Sequence, residues 1–292
     1  MDFFTKIRKL FSQGSILTKI IYINVGIFIL IRLIIVVCTL FQAGDANFVQ
    51  YLQMHSSWSL LFYRPWTVIT YMFVHIDLLH ILLNMLWLYW FGRIFLLFFN
   101  ERQCGGLYIT GGIFGAVFFL IAYNLFPYFR NVVGFSFLIG ASASVMAIVF
   151  AVSFYQKNYE INLLFLGRIK LIYLAMFALI IDMLSVVSEN AGGHIAHIGG
   201  ALFGFLFATQ LQRGKDLTVS VNRLIDRIVS WGKRRPARMK VTYRKQETDA
   251  EYNMRKRKEA DMLDEILDKL KKTGYQSLSS DEKKTLFEAS KK

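Results

Sequence analysis

Six stretches of this chain are apolar enough to be taken for membrane spans, and this constrains the fold more than any other feature. They run over about residues 20–41, 73–98, 105–126, 134–155, 169–187 and 193–211. About 20 apolar residues in a helix bridge a hydrocarbon core of roughly 30 Å. No water reaches the backbone there, so a single segment must satisfy its own N–H and C=O groups and coil into a helix. The composition agrees: 55% of the 292 residues are hydrophobic, against about 45–50% in an ordinary soluble domain. The first run is too long for the apolar region of a cleaved signal peptide and no small-residue cleavage site follows it, so it is expected to remain as a helix. The expected fold is all-α, a polytopic membrane bundle of six transmembrane helices.

Charge divides the rest. The leader, residues 1–19, holds Lys6, Arg8, Lys9 and Lys19, and the tail beyond Arg213 carries much of the net charge of +14. The connections holding Arg93 and Arg102, and Lys157, Arg168 and Lys170, are also basic, whereas the alternate ones hold only Arg64, Arg130 and a few acids. Basic loops stay inside, so both termini are expected in the cytoplasm, in a bacterial cytoplasmic membrane. The chain then divides into a leader (1–19), a membrane core (20–211), a membrane-surface segment (212–245) and a cytoplasmic helical hairpin (246–292). In the third part Leu217, Val221, Leu224, Ile225 and Ile228 share a helical face, as in a helix lying on the bilayer. Lys233, Arg234, Arg235, Arg238, Lys240, Arg244 and Lys245 follow without an acid, which points to anionic lipid rather than nucleic acid. In the hairpin, Thr248 with Glu251 and Ser279 with Glu282 have the spacing of helix-capping boxes. Cys38 and Cys104 lie in or beside spans and offer no disulfide framework.

The polar residues inside the apolar runs carry the chemistry. Arg32, within the first run, must face the bundle or snorkel. The spans at 73–98, 134–155 and 193–211 all descend from the outer face, and their first turns hold His80 and Asn84, Ser142, and His197. A rise of about 1.5 Å per residue puts these side chains at one depth, on the order of 8–15 Å below the surface, around a shared wet pocket. Ala143, Ala147 and Ala151 recur every fourth residue, as do Ala196, Gly200, Gly204 and Ala208. Such ridges let helix backbones approach closely and bring a hydroxyl beside an imidazole. Serine becomes nucleophilic when a base takes its proton, and a developing oxyanion needs donors. His80, Asn84 and the Ser142 amide can supply them. Ser144 ranks below Ser142 as nucleophile, because a serine in a span commonly bonds back to the preceding turn. His75 and His194 are read as solvated groups at outer span ends and His55 as part of a loop. Asp182 is read as a hydrogen-bonding or capping group rather than a third member of the site.

Taken together, His80-x-x-x-Asn84 after Pro65-Trp66, Gly140-Ala141-Ser142, and Ala196-His197-Ile198-Gly199-Gly200, in that order, resemble the rhomboid intramembrane serine proteases over roughly residues 17–211. The resemblance implies Ser142 as nucleophile, His197 as base and His80 with Asn84 as oxyanion donors. It also implies cleavage of transmembrane protein substrates near their outer ends, with no metal or organic cofactor. Four positions depart from the family pattern: Ala143 follows the nucleophile instead of glycine, Met146 replaces an aromatic that in many members packs on the histidine, Trp66-Thr67 replaces Trp-Arg, and Leu97 stands where an acid is common.

The expected function is serine endopeptidase activity at the extracytoplasmic membrane edge. One rival is a non-catalytic relative that holds transmembrane segments for quality control. The other is a metal transporter or metalloprotease built on His75, His80, His194 and His197, but the sequence has no His-Glu-x-x-His helix.

Overall fold

Helices dominate the computed structural model, which describes residues 11, 13–42, 47–163, 167–231 and 248–290. Helix α1 (Ile16–Leu40) is capped by Ser15, whose Oγ accepts from the Thr18 N–H at 3.3 Å. Its buried Asn24 donates to the Tyr108 hydroxyl at 3.1 Å, so this interruption of the apolar run is a bond between helices. Arg32 is exposed and does not face the bundle.

The segment that follows folds back over the bundle through β1 (Met54–His55) and the short helices α2 (Trp58–Tyr63) and α3 (Thr67–Thr70). Trp58, Phe62 and Tyr63 are exposed, and the Trp66 indole donates to the Tyr51 carbonyl at 2.8 Å. Strand β1 pairs antiparallel with β2 (Phe137–Leu138), Met54 opposite Leu138 and His55 opposite Phe137. This pairing fastens the first long connection to the chain just ahead of Ser142.

The other apolar helices are α4 (Leu78–Phe98), α5 (Glu101–Leu125), α6 (Ser142–Tyr155), α7 (Leu171–Leu184) and α8 (Ala191–Gln212). A hairpin of β3 (Glu160–Leu163) and β4 (Gly167–Lys170) joins α6 to α7. Two expectations are corrected here. The second apolar helix begins at Leu78 rather than near Phe73, leaving His75 in the preceding loop. The run from Gly134 to Tyr155 is helical only from Ser142, because β2 and the turn at Gly140 occupy its first part. Four helices, α1, α4, α5 and α8, are long and apolar enough to cross a membrane. Helices α6 and α7 have 14 residues each, about 21 Å at the α-helical rise.

Helix α6 is the axis of the bundle, and every residue from Ala143 to Ser153 is buried. A helix that is apolar all round belongs in a core, and here small residues set its neighbours' distances. A Cβ on Gly200 or Gly204 of α8 would run into the carbonyls of Ala143 or Ala147. A Cβ on Gly115 of α5 would stand 2.6 Å from the Ala143 Cβ and 2.9 Å from the Ala196 carbonyl of α8, and one on Gly111 would collide with the Ala147 Cβ. The alanine ridge of α6 thus packs against two glycine-bearing helices that also touch each other.

Helix α9 (Val219–Trp231) follows the bundle and meets the start of α5, where Arg102 pairs with Asp226 and the Gln103 amide donates to Asp216 at 3.0 Å. The described residues 248–290 belong to a second compact unit. It contains α10 (Asp249–Thr273) and α11 (Ser280–Ala289), and both expected capping boxes are formed. Lys269 bridges to Glu282 at 2.9 Å, and Ile266 and Leu278 are buried. The basic run from Lys233 to Lys245, and Lys6, Arg8 and Lys9 of the leader, lie outside the described residues.

Candidate active site

Ser142 opens helix α6, where the first N–H groups have no carbonyl one turn back. Three contacts define the turn that presents it. Gly140 has φ +106°, a conformation in which side chains are strained, and its N–H donates to the Tyr71 carbonyl at 2.9 Å. A Cβ there would also stand 2.7 Å from the His80 ring, so glycine is needed twice over. The Ala141 N–H donates to His75 Nε2 at 3.3 Å.

His75 is therefore not the solvated histidine expected. It is fully buried, and its ring lies edge-on to His80 with centroids 5.1 Å apart. The same loop is anchored to α5 by the Tyr71 hydroxyl, which donates to the Gly112 carbonyl at 2.6 Å, and by the Tyr108 hydroxyl, which donates to that of Met72 at 3.1 Å. His75 was illegible because nothing local says that this loop folds inward.

Ser142, His197, His80 and Asn84 all line one cavity of about 640 Å³. His80 and Asn84 occupy the first two turns of α4, and Asn84 uses one amide hydrogen on the His80 carbonyl at 3.1 Å. Its second hydrogen remains for a ligand in the cavity. Leu83 and Trp87 of α4, Phe177 and Ile181 of α7, and Met146 are among the apolar side chains of the wall, to which Asp77, Asp182 and Asn190 add polar groups. Ser144 is excluded from this cavity. It is fully buried, faces Gly112 of α5, and its hydroxyl has no hydrogen-bond partner among the described residues.

The residue that sequence reasoning undervalued is Asp182. It is buried near the end of α7, and its Oδ1 lies 2.8 Å from Nδ1 of both His197 and His194. An ionised carboxylate only accepts, so both ring nitrogens carry hydrogen in these bonds. The donor atoms of Asp182, His194 and His197 lie within 4.8 Å of one another, a set that a metal ion could also use. A signal was available: α7 and α8 are antiparallel across a turn centred near Ser188, which puts residues equally far from it, such as Asp182 and His194, at one level.

The sequence matches the family model of the rhomboid domain over residues 63–213, a span that holds α4 to α8 and every cavity residue named above. The chain belongs to the rhomboid family. A second match, to a family of unknown function (DUF6576), covers residues 246–292 of the rhomboid. A relative from Arabidopsis thaliana, "RHOMBOID-like protein 12, mitochondrial", is 29% identical over 161 residues, which are 52% of this rhomboid and 48% of the relative. The rhomboid thus spans about half the length of that protein.

Proposed function

We propose that this rhomboid is an intramembrane serine endopeptidase in which Ser142 is the nucleophile and His197 the general base. The observation that carries the reading is the meeting of Ser142, His197, His80 and Asn84, from three separate helices, around one cavity. In the reaction the Ser142 hydroxyl proton passes to Nε2 of His197 as Oγ bonds to the substrate carbonyl carbon. The carbonyl electron pair moves onto oxygen, where His80, Asn84 and the Ser142 N–H receive the charge. The proton then goes to the leaving amine as the C–N bond breaks, and water repeats the sequence to release the acyl group. No cofactor enters any step.

The substrate class follows from where the cavity lies. Much of its wall is apolar, and α7 beside it exposes Tyr173, Phe177, Ile180 and Met183. A transmembrane segment can reach such a wall from lipid. Its carbonyls are bonded within its helix, so it must unwind before one can reach Ser142. Helix-breaking residues at the cut are therefore expected, and the rhomboid resemblance adds a small side chain there. In this reading all six apolar helices cross the bilayer, the shorter α6 and α7 leaving room at their ends for the wet site. Both termini are cytoplasmic, in a bacterial cytoplasmic membrane, and cleavage falls at the outer edge. Helix α9, with exposed Leu224 and Ile228 beside Arg223 and Arg227, lies on the inner surface, where the basic run after it meets anionic lipid.

The test is cleavage of a panel of single-span reporters by the wild type and Ser142→Ala, with fluorophosphonate labelling of both. Cleavage and label in the wild type alone are expected. Cleavage retained by Ser142→Ala would sink the assignment, and a wild type that captures the reporters without cutting them would favour the non-catalytic reading.

A further inference from the structure

We infer that Asp182 is the positioning residue for His197, an inference that rests on the protease reading above and names what holds the base. A carboxylate inside an apolar helix is costly to keep there unless it is bonded, and such residues mark function by default. Asp182 is bonded twice at a single oxygen, and one of its donors is the proposed base.

The bond decides which face of the imidazole reacts. With Nδ1–H committed to Asp182, the lone pair of His197 must sit on Nε2, the nitrogen required to take the Ser142 proton. When the ring becomes an imidazolium, the positive charge arises directly against the carboxylate.

Nothing else among the described residues does this work. The ring stacked nearest His197 is that of His194, edge-on with centroids 5.8 Å apart. The cavity wall one turn beyond Ser142 carries Met146, whose thioether has no ring face to offer. His194 occupies a supporting position: three residues before His197 on α8, it donates to the same Asp182 oxygen and stops the carboxylate from swinging away. The arrangement spans two antiparallel helices, so it ties the end of α7 to the start of α8 at the level of the site.

The experiment uses the full chain in liposomes with a cleavable single-span reporter. In Asp182→Asn, the amide preserves shape but removes the charge and lets the ring tautomer flip. We expect kcat to fall on the order of 10²-fold, with KM and the thermal midpoint held. Asp182→Glu should recover part of the loss, and His194→Ala should lower kcat by about 3- to 10-fold, as for one hydrogen bond. Histidine ¹⁵N spectra, with His197 assigned from His197→Ala, should show Nδ1 protonated in the wild type and a tautomer mixture in Asp182→Asn.

An unchanged kcat in Asp182→Asn with a lowered thermal midpoint would overturn the inference and make Asp182 a structural pin. Stoichiometric zinc in the purified protein, with wild-type activity changed by 1,10-phenanthroline, would overturn it in favour of a metal site. If the wild type cleaves nothing yet shows the Asp182-dependent tautomer, the protease reading fails alone and the Asp182–His197 bond stands. If the wild type cleaves and the tautomer ignores Asp182, the inference fails alone.

Discussion

Helices α6 and α7 are both 14 residues long and both apolar, yet they contribute to the site by opposite means. Helix α6 is buried from Ala143 to Ser153 and is held by close contacts to Gly111 and Gly115 of α5 and to Gly200 and Gly204 of α8. Helix α7 buries only Leu171, Ala175 and Asp182. The nucleophile's helix is therefore located by packing, whose energy depends steeply on distance. The helix beside the base is located at the site by the hydrogen bonds that Asp182 accepts from His194 and His197. Such a division keeps Ser142 fixed while leaving the apolar wall formed by Phe177 and Ile181 free to yield to an arriving substrate.

The difference can be broken most severely at Gly200. Its added Cβ would overlap the Ala143 carbonyl, which is backbone and cannot rotate away. Gly200→Ala is expected to lower stability by about 3 kcal/mol, at the upper end of overpacking effects, and to abolish cleavage. A thermal midpoint equal to the wild type would mean that α6 and α8 can part without cost. A smaller effect on folding, with a large one on chemistry, is expected at Gly140. Gly140→Ala must hold a side chain at φ +106° against the His80 ring. We expect a stability loss of roughly 1–2 kcal/mol and a fall in kcat of about 10²-fold, as for a reacting group displaced by about 1 Å. Reporter cleavage and unfolding of the same preparation would separate the two.

How much of this was readable from residue types differs in the same way between the two helices. The apolar runs and the alanine and glycine spacings of α6 and α8 are local patterns, and the structure places those ridges in contact. The start of α6 was misjudged because hydropathy does not distinguish an extended segment from a helical one. What ends the helix at Ser142 is the β1–β2 pairing with a segment about eighty residues earlier. His75 was misjudged for the same reason, since its burial depends on a loop closing over Ala141. Asp182 was visible as an intramembrane acid, but its two partners lie across a turn. Only the register of α7 against α8 shows that all three meet.

The finest test of the comparison deletes the same side chain from each helix. Ile148 of α6 is fully buried, whereas Ile180 of α7 is 51% exposed. In a bilayer the unfolded helices still sit among apolar lipid tails, so little is lost by transfer when a buried isoleucine is shortened; what remains is the cavity and its missing contacts. Ile148→Ala is therefore expected to cost about 2 kcal/mol, at the lower end of the range for a water-soluble core. For Ile180→Ala lipid fills the space that the side chain leaves, and stability should stay within about 0.5 kcal/mol of the wild type. Reversible unfolding in bicelles measures both. Equal losses would show that α7 is packed as tightly as α6, and the wall beside Ser142 would then be a fixed surface instead of one that substrate can displace.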